Sequence, residues 1–254
     1  MIIDCHGHCS IDGSYALSAD DMVRSLDLYG VDRICCSAPI SAGETSPDRV
    51  RRNNDLILAS MARHPKRIQG YCFVNPGYAQ ATQDEITRCV VDGGMIGVKL
   101  YHQYTICDPV QYPLIERCIE LGVPILMHAG YPAAPELRES QPRLSTGEHF
   151  AEIGKRYPEA TLICGHIGGG GDWERQIKGL REVPTVFLDT SGSVIDAGMI
   201  ERCVRDLGSE RLLFACDGSM ARGVGKMLDA DITPEQRQAI FSDNILSILA
   251  RRKV

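Results

Sequence analysis

Arg211-Leu212-Leu213-Phe214-Ala215-Cys216-Asp217 is a short run, apolar at every interior position, that ends in a carboxylate. A strand with one wet face would alternate apolar and polar residues. A run apolar on both faces fits a parallel strand with helices on one side and a packed interior on the other. Seven similar runs precede it: Met1–Cys5, Arg33–Ser37, Gly70–Val74, Ile96–Leu100, Pro124–His128, Thr161–Cys164 and Val186–Asp189. Amphipathic stretches separate them. Ser18–Tyr29 opens on a Ser18 N-cap with Asp21 three residues on, and Pro47–His64 stops before Pro65. Further helices are expected at Gln80–Val91, Val110–Leu121, Thr146–Arg156, Trp173–Leu180, Ala197–Leu207, Ala221–Leu228 and Pro234–Arg251. Eight strands, each followed by a helix, predict a (β/α)8 TIM barrel, with residues 1–254 as a single domain. An open doubly wound sheet would require two or more of these strands to be absent.

The formal net charge of −6 argues against a nucleic-acid partner, which needs a basic patch. No segment reaches the roughly 18 apolar residues of a membrane span. The opening Met1-Ile2-Ile3-Asp4-Cys5-His6 lacks a basic region and a long apolar stretch, so it does not read as a signal peptide, and a cytoplasmic location is expected. Eleven cysteines form no C-x-x-C pair and are odd in number. Most fall in apolar strands or helices, as free buried thiols do in a reducing compartment. Cys5 and Cys9 flank a histidine pair, which leaves a ligand role open for them.

The chemistry-bearing residues gather where a barrel places its active site, at the C-terminal ends of the strands. His6 and His8 follow strand one, Lys99 lies late in strand four, and His128 ends strand five. His166 follows strand six, and Asp217 ends strand eight. One histidine at a strand end is ordinarily structural. Four imidazoles and a carboxylate at one face are costly to bury unless paired or bound to a metal. His6 and His8, two apart on an extended segment, point the same way and can reach one ion. His128 and Asp217 would complete the set and leave a position for water, as a catalytic site requires. Three nitrogens and one carboxylate suit Zn2+ best, with iron, manganese or nickel as alternatives. Asp4 is a candidate to orient a ligand imidazole. His64 and His149 read as structural, and Gly168–Gly171 reads as a tight turn without the lysine of a phosphate loop.

Taken in order, seven segments carry a resemblance across the whole chain. They are Ile3–His8, Gly97–Leu100, Pro124–Gly130, Cys164–Gly170, Leu188–Gly192, Arg211–Asp217 and Asp243–Leu246. The sequence resembles the amidohydrolase superfamily, and within it the amidohydrolase-related branch with the aminocarboxymuconate-semialdehyde decarboxylase-like enzymes. The resemblance implies that His6, His8 and His128 hold the metal. It implies that His166 acts as acid, base or carbonyl-polarising group, and that Asp217 binds the metal weakly and moves the proton. Lys99 would bridge a second metal if carboxylated. Otherwise it is an ordinary cation that binds substrate or forms an ion pair, and one ion with a cationic Lys99 is the expectation. Asp189, His102 and Tyr131, with Tyr15 and Trp173, are candidate substrate contacts. The leading expectation is metal-assisted hydrolysis of an amide, lactone or ester in a small molecule, because the chain lacks the long insertions associated with decarboxylase-like relatives. The alternative is non-oxidative decarboxylation of an aromatic or unsaturated acid; a non-catalytic metal-binding barrel is the remote one. A homodimer is the assembly suggested by the branch.

Overall fold

The computed structural model describes residues 1–254. Its eight parallel strands follow one another round the sheet in chain order: β1 (Ile3–Gly7), β2 (Arg33–Cys36), β3 (Ile68–Phe73), β4 (Gly97–Leu100), β5 (Ile125–His128), β6 (Leu162–Gly165), β7 (Val186–Asp189) and β8 (Leu212–Leu213). The Cys5 amide donates to the Phe214 carbonyl and the Asp217 amide to the His6 carbonyl, both at 2.9 Å, so β1 meets the end of the eighth run and the barrel closes. The expected (β/α)8 architecture is therefore the one observed.

The helices are α1 (Ala19–Tyr29), α2 (Pro47–Arg63), α3 (Ala79–Ile86), α4 (Tyr112–Leu121), α5 (Pro135–Ser140), α6 (Gly147–Arg156), α7 (Trp173–Leu180), α8 (Met199–Leu207), α9 (Met220–Asp229), α10 (Pro234–Gln238) and α11 (Asn244–Leu249). The Ser18 hydroxyl accepts from the Asp21 amide and starts α1 as its sequence predicts. The larger apolar cluster lies between strands and helices. A second, containing Ile3, Cys5, Cys35, Tyr71, Leu126 and Ile163, fills the barrel's interior, and α11 adds Ile245 and Ile248 to it. All eleven cysteines are free and ten are buried.

Several elements depart from their sequence reading, among them the helix expected over Gln80–Val91, which passes into a π-turn at Thr87–Asp92, and a pair of short strands, Cys9–Ser10 and Leu17–Ser18, that the reading lacks. The eighth strand ends at Leu213, well short of the end of its apolar run, because the Phe214 amide turns to the Ile240 carbonyl and the Ala215 amide to the Thr190 hydroxyl. The helix expected over Pro234–Arg251 is interrupted by a π-turn at Ala239–Asp243. α5 has no counterpart in the sequence reading: its six residues bury none of their number and so carry no apolar period.

Candidate metal centre

β1 sets the geometry. Ile3 and Cys5 face the interior, and strict alternation would send Gly7 there next. A register shift between Asp4 and Gly7 changes the phase. Gly7 then lies against Ile34, where a Cβ would come within 2.3 Å of its Cδ1, and His6 and His8 turn to the mouth of the barrel. Asp4 holds the shift: its Oδ1 accepts from the amides of His6 (3.0 Å) and Cys216 (3.1 Å).

Asp189, not Asp4, orients the first imidazole. Its Oδ2 lies 2.8 Å from His6 Nδ1, while its Oδ1 accepts from the His166 amide, the Ser191 amide and the Ser191 hydroxyl. His8 Nδ1 lies 2.9 Å from the Ser37 carbonyl. Both rings thus donate through Nδ1 and present Nε2 lone pairs to the site, the arrangement that metal-binding histidines adopt. Lys99 Nζ sits 2.6 Å from His6 Nε2, where an ammonium would donate to that lone pair. Asp217 Oδ1 is 3.0 Å from His8 Nε2 and 3.8 Å from His6 Nε2. Ligand atoms of His6, His8 and Asp217 lie within 4.8 Å of one another, and a second such group is His6, His166 and Asp189. Two imidazole nitrogens and a carboxylate oxygen, prearranged by buried hydrogen bonds, suit a divalent cation.

His128 stands apart from both groups. Its Nδ1 is 2.8 Å from His166 Nε2, its Nε2 is 2.9 Å from Gln141 Oε1, and Tyr101 stacks on it with centroids 4.1 Å apart. His166 Nδ1 continues the chain to Ser191 Oγ at 2.7 Å and lies 3.5 Å from Asp217 Oδ2. His166 and Asp217 are the two non-glycine residues with positive φ, at 69° and 46°. Such strain survives where the surroundings over-determine it, and it concentrates at functional sites.

Electrostatics follow from burial. His6 is pushed down to about 3 by burial and then by Lys99, and Lys99 is lowered to about 8 by burial. His128 and His166 are lowered for the same reason. Burial would raise Asp217, but His6, His166 and His8 together hold it well below the usual carboxylate range. The Asp217 carboxylate thus stands among the buried rings of His6, His128 and His166, whose affinity for a further proton is lowered.

The cavity over this cluster has a volume of about 190 Å3. It is walled by His128, His166, Gln141, Ser193, Asp217 and Arg222, among others. Other expected contacts fall outside its lining. His102 packs on Tyr101, Arg175 covers Tyr131, Trp173 donates to Asp196, and Tyr15 lies edge-on to His8. His64 bonds Asp20 and His149 caps its own helix. Gln141, Ser191, Ser37, Tyr101 and Arg222 escape sequence reasoning. Ser191 alone had a signal, as a polar residue two beyond a strand-end aspartate.

A barrel that gathers its imidazoles and a strand-eight aspartate at one mouth defines a class of hydrolase-fold proteins, and the sequence agrees. Residues 3–250 match the family model described as amidohydrolase, and the chain belongs to that family. The γ-resorcylate decarboxylase of Polaromonas sp. is 24% identical over 253 residues, covering 78% of this chain and 76% of its own. The 2-keto-4-carboxy-3-hexenedioate hydratase of Sphingobium sp. is 24% identical over 335 residues, covering 99% and 96%. The solved dihydroxybenzoic acid decarboxylase of Polaromonas sp., with bound manganese and the inhibitor 2-nitroresorcinol, matches with a TM-score of 0.74 at 17% identity over 98% of this chain and 96% of its own. The activities named among these relatives are decarboxylation and hydration. They overturn the expected hydrolysis of an amide, lactone or ester. The argument from missing insertions falls with it, since decarboxylases are among the relatives although part of their length has no match in this chain. No helix is long and apolar enough to cross a membrane.

Proposed function

We propose that the protein is a metal-dependent, non-oxidative decarboxylase of a small aromatic or unsaturated acid. The observation that carries this reading is one small cavity on which the Asp217 carboxylate and the linked His166–His128 pair converge. A cavity near 150 Å3 takes up benzene, so about 190 Å3 suits one ring with small substituents. The decarboxylase relatives support the same choice.

His6, His8 and Asp217 would hold one divalent cation, which supplies positive charge for the substrate's carboxylate and a neighbouring oxygen. With His128 engaged by His166 and Gln141, the donor set has one imidazole fewer, and is harder, than the three imidazoles and one carboxylate expected from sequence. That shifts the preference from zinc towards manganese. The reaction exchanges a proton for CO2. The proton adds to the carbon that bears the carboxylate, the C–C bond breaks with its electron pair kept by that carbon, and CO2 leaves. Solvent supplies that proton, and in our reading Asp217 and His166 take it up and pass it to the carbon; the negative charge of an incoming acid raises the affinity of each for it. Ser191 and Asp189 fix His166 in place, and Tyr101 braces His128.

A second reading, hydration of an unsaturated acid, is favoured by the fuller alignment with the hydratase. The test is to load the protein with manganese or zinc in D2O and offer 2,6-dihydroxybenzoate and a panel of single-ring and short unsaturated acids. Release of CO2 with one deuterium at the vacated carbon is expected. Product that has gained one water with no CO2 would replace decarboxylation by hydration. A metal-loaded protein that turns over no acid would refute both.

A further inference from the structure

Arg222 is an exposed residue in the first turn of α9 that lines the cavity together with His128 and Gln141. It is the only arginine or lysine in that lining, and Asp217 is the only acid. The guanidinium forms no ion pair, a state it shares with other exposed arginines such as Arg51 and Arg52, but it alone of these lines the cavity. Asp196, Glu201 and Asp229 line a neighbouring cavity of about 500 Å3 that Arg222 also borders. None lies within 4 Å of it, and two are engaged elsewhere, Asp196 by the Trp173 indole and Glu201 by the Asp231 amide.

The position of Arg222 is fixed by its own helix. One turn on, Lys226 donates to the carbonyls of Thr190 (2.7 Å) and Gly192 (3.4 Å). This fastens α9 to the segment carrying Ser191 and Ser193, and Arg222 and Ser193 both line the cavity. A free guanidinium in such a place is a fork for a carboxylate or phenolate.

We infer that Arg222 selects the substrate by a second anionic group, so that the acid taken by this site is a dianion. The inference rests on the acid-binding reading above. The same lining holds Asp217, which would hold the cation, and the Arg222 guanidinium, so the cavity offers places for two anions. A dianion of one ring also fits the volume, with its reacting carboxylate toward Asp217 and its second anion at Arg222.

The test is calorimetric binding to the manganese-loaded protein, with benzoate and isophthalate as probes and no turnover required. The wild type is expected to bind isophthalate at least tenfold more tightly than benzoate, as a charge-assisted bidentate contact provides. Arg222→Gln should bring that ratio within threefold and leave benzoate affinity unchanged, and Arg222→Lys should restore part of it. Because the side chain is exposed, the fold tolerates both changes, and melting curves check this. A wild type without the preference, or a preference that survives Arg222→Gln, would overturn the inference. If no acid in the panel releases CO2 yet the preference is present and depends on Arg222, decarboxylation falls and the dianion site stands. If CO2 is released and the preference is absent, the reverse holds.

Discussion

Asp189→Asn replaces one oxygen by an amide nitrogen at a fully buried position. Three donors meet Oδ1, namely the His166 amide, the Ser191 amide and the Ser191 hydroxyl, so the asparagine oxygen must take that side. Its NH2 group then faces His6 Nδ1, where a carboxylate oxygen accepted at 2.8 Å. His6 is neutral at pH 7, being pushed down to about 3 by burial and Lys99, and carries one proton. That proton must move to Nε2, the nitrogen aimed at Asp217 and only 2.6 Å from the Lys99 ammonium. The lone pair that would bind a cation is lost. Removing such an orienting partner costs about 10- to 100-fold in metal affinity, or roughly 1.4 to 2.7 kcal/mol. A competition titration of manganese against a chelating dye reads the change directly. Affinity within twofold of wild type, with an unchanged melting temperature, would refute the assignment of Asp189 as the group that sets the tautomer of His6.

Other outcomes follow from the same geometry. Asp217 sits at φ 46°, a conformation asparagine tolerates, so Asp217→Asn should keep the fold while turnover falls by about 100-fold or more as the proton-handling carboxylate is lost; steady-state kinetics and a melting curve check both. Gly7→Ala would place a Cβ 2.3 Å from the Ile34 Cδ1, and melting should show a loss of about 1–3 kcal/mol from overpacking. Glu85 is raised by burial but held below its ordinary value by Arg88 and Asn54 together. Its folded form therefore binds fewer protons than its unfolded form, so its contribution is present above pH ~4.5 and is lost as pH falls below that. Glu85→Gln should accordingly narrow the difference in melting temperature between pH 7 and pH 4.

The barrel could be read from sequence because every strand is covered on both sides and is written as an unbroken apolar run. Its boundaries were less legible where side chains intercept the ladder, as Thr190 does at Ala215. His6, His8 and Asp217 lie together, and that grouping is legible because period-two spacing and strand ends are local facts. Their supporting cast was not. Asp189 and Asp4 are both strand-end acids, and nothing local distinguishes the one that meets a ring from the one that holds two amides. Gln141 follows a helix without an apolar face, and its contact with His128 depends on where that excursion returns over the barrel. The turn of His128 toward His166 is likewise a product of tertiary packing.

The seam where β1 meets the eighth run has a bearing on how the molecule assembles. Asp217 donates its amide to His6, and Asp4 receives that of Cys216, so the groups that would hold the cation are also those that join the two ends of the sheet. Contacts spanning more than two hundred residues carry a large loop-closure entropy and form late. The donor cluster therefore exists only in molecules whose ring of strands is complete, and an opening of that seam dismantles it. A cation bound there would act as a clasp, and binding free energy becomes resistance to partial unfolding when only the closed form binds. Hydrogen exchange at the amides of Cys5 and Asp217, measured with and without metal, would follow that clasp as it opens.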